Sequence, residues 1–155
     1  MQRSTRDTYR EYEKACERMR AANAELLQEF ETDLTQHGLT ATTVNQHVGN
    51  IDFYINEYLL YEDAKPANEG PGCVRMYLGY WFIRKALWAS AASIRSNAAS
   101  LKKFYEFMAE RKLVSEADVQ AMKQVIKKEM PNWIATVRRY AEWDGEDGSA
   151  FWRTQ

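Results

Sequence analysis

Apolar side chains recur along most of this chain at spacings of three and four, the period of one face of an α-helix. Residues 6–36 read as helix, in one piece or two. The stretch from Arg6 to Arg20 is charged nearly throughout and is a marginal helix alone, while Leu26, Leu27, Phe30 and Leu34 then set up a stripe. Gly38, just past the last turn, ends it. Thr40 caps a second helix, with Val44, Val48, Ile51, Ile55, Tyr58 and Leu59 on its apolar face, running to about Tyr61. Pro66, Pro71 and two glycines make 65–72 a predicted loop. A third helix is expected from about Cys73 to Trp88, burying Val74, Tyr77, Leu78, Trp81 and Phe82. Ser90 or Ser93 starts a fourth, with Ile94, Ala98, Leu101, Tyr105 and Met108 on one face and Phe104 and Phe107 widening it. Ser115 caps a fifth, in which Pro131 predicts a kink.

No stretch alternates with a strand's period of two. The fold class is therefore all-α, a bundle of about five helices. The expected division is a charged helical extension (1–21), a helical domain (22–141) and an acidic tail (142–155) that ends in aromatics.

Composition narrows the function classes. Cys16 and Cys73 sit in no CxxC or Cys/His pattern, which argues against a zinc site or disulfide framework and suits a reducing cytoplasm. No apolar run reaches membrane-spanning length and no apolar leader follows the N-terminus, so the expectation is an intracellular protein away from membranes. There is no metal set, phosphate loop or nucleophile–base pair, so neither enzyme nor cofactor is expected. His37 and His47 read as neither ligand nor base, and Trp81, Trp88 and Trp133 as core.

The formal net charge of −1 hides a strong asymmetry. Residues 21–71 hold one basic and nine acidic side chains, whereas 72–113 hold eight basic and two acidic. A basic surface can thus exist on a neutral protein.

The segment FETDLTQHGLTATTVNQHVGNIDFYINEYL, with Gly-Leu-Thr-Ala-Thr-Thr at 38–43, resembles the first helical hairpin of the core-binding domain of tyrosine recombinases, the phage-integrase class. The segment SAASIRSNAASLKKFYEFMAERKLV resembles that family's fourth helix, and the similarity spans roughly 22–140. The resemblance implies half of a clamp around duplex DNA. Its contacts, carried over by position, would be Thr40, Thr42, Thr43 and Gln46 on the second helix, and Ser93, Arg95, Ser96, Asn97, Lys102 and Lys103 on the fourth. Arg84 and Lys85 would extend the patch. Hydroxyls and helix N-termini hold phosphates, and Arg, Asn and Gln can read base edges.

The family's cleaving domain carries a His-x-x-Arg motif, absent here because His37 is followed at +3 by Thr40 and His47 by Asn50. The expectation is DNA binding without strand cleavage, in DNA integration or recombination. The chain is then a lone domain of this kind or one cut from a longer protein, with Met1 and the acidic tail favouring the former. The alternative is a protein-interaction module on the same fold, partnering a recombinase or a second copy of itself through Phe151 and Trp152.

Overall fold

The structure, a computed structural model, describes residues 4–146; the aromatic pair Phe151 and Trp152 lies outside them. It is an all-α bundle of five helices, with no strand among the described residues. Helix α1 (Thr5–Gln36) is one unbroken helix that passes through position 21. The Ser4 side chain caps its start, and its N-terminal half is tied down where Cys16 is buried and the Tyr12 hydroxyl donates to the Leu60 carbonyl. Gly38, at φ 85°, supplies the left-handed residue after α1 that a side chain would strain.

Helix α2 (Ala41–Asp52) is capped by Thr40, whose side chain accepts from the Thr43 N–H. It continues as a wider π-turn over Phe53–Tyr58, where the Leu59 N–H reaches back five residues to the Tyr54 carbonyl at 3.0 Å. The expected loop at 65–72 is instead a 3-10 helix, Ala67–Cys73. Pro66 stands before its first turn and Pro71 lies inside it, and two of its carbonyls find donors in the core. The Tyr105 hydroxyl donates to Ala67 O (2.8 Å) and the Tyr54 hydroxyl to Gly70 O (2.6 Å).

Helix α3 occupies 74–85 and is widened over Tyr77–Trp81 by a second π-turn. It ends at Lys85 and not at Trp88, because Ala86 turns extended (φ −88°, ψ 117°). The two π-turns face each other across a layer of rings: Tyr58 lies 4.9 Å from Tyr77 and 5.2 Å from Trp81, and Phe53 lies 5.7 Å from Trp81. Two polar groups in this layer, the Tyr77 hydroxyl and the Trp81 indole N–H, are buried without a partner among the described residues.

Helix α4 (Ala91–Glu110) opens with a capping box in which both expected serines take part: the Ser90 side chain accepts from the Ser93 N–H and the Ser93 side chain from the Ser90 N–H. Helix α5 (Glu116–Glu146) starts after Ser115, which accepts from the Asp118 N–H at 3.1 Å. It runs through Pro131 as continuous α-helix, although the proline removes one backbone donor. Helix α4 is the central element, packed on α5 along one side and on α2 along the other. Ile94, Ala98, Leu101, Phe104, Tyr105 and Met108 are buried on it, and Phe30 of α1 meets Phe104 edge-to-face at 5.2 Å. Each of the larger apolar side chains among them contributes about 1.5–3 kcal/mol by leaving water.

Candidate nucleic-acid interface

The two segments singled out on α2 and α4 come together in the fold. Their contact is a polar seam in place of an apolar one. Gln46 Nε2 and Asn50 Nδ2 both donate to Ser96 Oγ at 3.0 Å. Asn50 also donates to Ser100 Oγ (3.0 Å), which donates to the Ser96 carbonyl (3.1 Å) and lies 2.7 Å from His47 Nδ1. With the Ser100 proton committed to that carbonyl, His47 donates from Nδ1 and its Nε2 is left as the acceptor. Burial, and then the nearby positive charge of Lys103, hold His47 below its ordinary pKa, so it is neutral near neutral pH. His47 is thus a buried structural residue.

At the α2 N-terminus, the Thr40 oxygen is occupied by its cap and by Thr43 Oγ1 (3.0 Å). Thr42 is exposed and makes no side-chain hydrogen bond among the described residues, and Gln46 is exposed with its amide oxygen unused. Two of the expected contacts on α4 are spent inside the protein. Asn97 is only 3 % exposed and donates to the Ser93 carbonyl at 2.8 Å, so it does not reach a base edge. Ser93 is engaged in its capping box and donates to the Trp88 and Ser90 carbonyls.

The basic side chains divide. At about 3.6 residues per turn, Arg95 and Lys102 fall on one line of α4 while Lys103 is turned toward α2. Arg95 opens onto a groove between α4 and α5, where Lys127 and Arg138 face it across a floor of Met130, Pro131, Ile134 and Ala135. The groove has a volume of about 480 Å³ and no carboxylate in its lining. Arg95, Lys127 and Arg138 make no ion pair among the described residues. Further along α4, Glu106 is neutralised by Lys123 of α5 at 2.6 Å. Three cations with no ion pair among the described residues therefore line one groove between α4 and α5.

Arg84 and Lys85 do not extend this patch. The Arg84 guanidinium stacks on Tyr80 (3.9 Å to the ring centre) and lies 6.0 Å from the ring of Tyr140, whose position on α5 is on the flank opposite Arg138. The Lys85 ammonium lies 5.4 Å over Tyr61. Lys127 and Arg138 are not among the expected contacts, because they lie on the last helix, outside the basic segment 72–113. Residues 119–141 carry five basic side chains and one acidic one, and the remaining acids lie at the helix ends. The spacing 127, 131, 134, 138 marks one stripe of a helix and was the signal available.

No group of three or more potential metal ligands is assembled among the described residues, and no helix among them is long and apolar enough to cross a membrane. What the fold defines is a class, the all-α bundle of five helices. No protein family, no curated protein and no solved structure matches this chain.

Proposed function

We propose that the chain binds duplex DNA without cutting it, as a domain resembling the core-binding half of a recombinase and serving DNA integration or recombination. The observation that carries this reading is that Arg95, Lys127 and Arg138, none with an acidic partner among the described residues, line one open groove. Cations held apart from carboxylates keep their full attraction for phosphate. Exposed Thr42 and Gln46, the latter bonded to Ser96 next to Arg95, add neutral hydrogen-bonding groups on α2.

The test is fluorescence anisotropy of a labelled duplex of about 30 base pairs, long enough for a clamp contacting several phosphates. Titrations at about 50 and about 200 mM salt give the slope of log affinity against log salt. Removing three phosphate contacts in Arg95→Ala/Lys127→Ala/Arg138→Ala lowers that slope by about 2.7, or roughly 40-fold less salt sensitivity across this range. No binding by the wild-type chain at low salt up to roughly 100 μM, the weak end of non-specific affinity, rejects the proposal. The competing protein-interaction reading then leads; it draws on exposed apolar residues such as Leu87, 70 % exposed at the α3–α4 turn.

A further inference from the structure

The second cationic region has a different character from the groove. A pocket of about 190 Å³ opens between the end of α2 and the outer face of α3, lined by Tyr58, Tyr61, Glu62, Met76, Tyr80 and Trp81. Four of these six are aromatic. Tyr58 and Trp81 are half-buried and form its back, with rings 5.2 Å apart at 64°. Tyr61 stands against Trp81 at 5.6 Å and 70°, and both Tyr61 and Tyr80 are 52 % exposed. An exposed, mainly aromatic recess on a surface helix is uncommon, since large apolar groups on a monomer are usually scattered singly.

The charges around the recess identify what suits it. Lys85 lies on the ring of Tyr61 and Arg84 on the ring of Tyr80, so each exposed ring carries a cation of the chain itself. Neither cation has an acidic partner among the described residues. A cationic ligand would be repelled by both. A flat ring attached to a phosphate meets no such conflict: the ring stacks on the tyrosines, the phosphate takes Arg84 and Lys85, and the Glu62 carboxylate accepts from an amino group on the ring edge. The volume is below the about 300–1,000 Å³ of sites for drug-sized molecules, which suits one ring system and not a base pair.

We propose that this pocket holds a single unpaired nucleobase of a single-stranded nucleic acid, with Arg84 and Lys85 on the adjoining backbone. Stacking of bases on exposed aromatics flanked by cations is the sequence-tolerant mode of single-strand recognition. The base must be unpaired because a duplex keeps its bases stacked inside. The site lies apart from the α4–α5 groove and does not depend on duplex binding there.

The experiment compares two labelled single strands of about 12 nucleotides, one with bases and one abasic throughout, by anisotropy. Both carry the same phosphates, so their difference isolates stacking. The base-bearing strand binds roughly five- to a hundred-fold more tightly to the wild-type chain. Tyr61→Ala/Tyr80→Ala removes that difference and leaves duplex affinity unchanged and the chain folded, since neither ring belongs to the buried core. Tyr61→Phe/Tyr80→Phe restores it, because the rings and not the hydroxyls do the stacking. Equal binding of the two strands, a difference that survives the double alanine variant, or binding of neither strand overturns the proposal. Base-dependent binding without duplex binding sustains it and rejects only the groove assignment.

Discussion

Three tyrosines sit at the centre of the bundle, and their hydroxyls are in opposite situations. Tyr54 and Tyr105 donate to the Gly70 and Ala67 carbonyls, whereas the Tyr77 hydroxyl is buried with no partner among the described residues. Replacing each with Phe therefore has opposite signs. Tyr105→Phe takes the hydroxyl donor from the buried Ala67 carbonyl, at a cost of about 1–3 kcal/mol. In a chain of this size each kcal/mol moves the melting temperature by about 2–4 °C, so a fall of about 2–12 °C is expected. Tyr54→Phe behaves alike. Tyr77→Phe removes a hydroxyl held out of water for no bond, which relieves about 1–3 kcal/mol, offset in part by lost contacts of one atom. Its melting temperature rises by about 1–8 °C.

The same trio governs the alkaline limit of stability. Burial pushes all three hydroxyls above the ordinary tyrosine value of 10.0. The unfolded chain releases these protons near pH 10 while the folded chain keeps them, so the stabilisation is complete below pH 10 and is lost as pH rises above it. Each group contributes a slope of about 1.4 kcal/mol per pH unit, hence about 4 for the three. Circular-dichroism melts at neutral pH and from about pH 9 to about pH 11 read both effects. Each Phe variant should reduce the alkaline slope by one proton. If Tyr77→Phe lowers the melting temperature as much as Tyr105→Phe, or the slope is unchanged in all three, this account of the core is refuted.

Other outcomes follow from single contacts. A Cβ at Gly79 would stand 2.6 Å from Trp133 Nε1, so Gly79→Ala costs about 1–3 kcal/mol in a denaturant melt, whereas Gly49→Ala, with nothing within 4 Å, stabilises α2 by about 0.5–1 kcal/mol. Thr40→Ala removes the α2 cap and costs about 1 kcal/mol in the same measurement. His47 is held below its ordinary pKa of 6.5, so the unfolded chain takes up its proton first, and stability present above pH 6.5 is lost as pH falls below it. His47→Gln removes that part of the acid dependence; a wild-type melting temperature that is flat from pH 7 to pH 5 contradicts the assignment.

The helices were legible because their signals are local. Thr40, Ser90, Ser93 and Ser115 lie where hydroxyls satisfy backbone donors at helix starts, and the buried faces of α4 and α5 follow three-and-four spacing. The two π-turns were not legible. An extra residue in a helical turn is set by the rings packed across it, which lie on another segment. The 3-10 helix at Ala67–Cys73 was hidden for the same reason, since its acceptors are served by tyrosines 16 and 38 residues away in sequence. Of the residues expected to face DNA, Asn97 was misplaced because an asparagine on a helix carries no mark of which side it occupies, and here its amide serves a carbonyl of its own helix. The groove needed α5 beside α4, a pairing that the charge of either segment alone does not disclose.

The hydrogen bonds between α2 and α4 have a mechanical consequence. Apolar helix faces can slide past one another by small steps at little cost, but Gln46, His47 and Asn50 meet Ser96 and Ser100 in one register only. A shift of one turn along either helix would break the whole set at once and leave buried polar groups bare. The joint is keyed, like a toothed coupling, and the two helices move as a single stiff part. Whatever meets Thr42, Gln46 and Arg95 encounters groups whose mutual spacing is already fixed, so little ordering entropy is lost on contact.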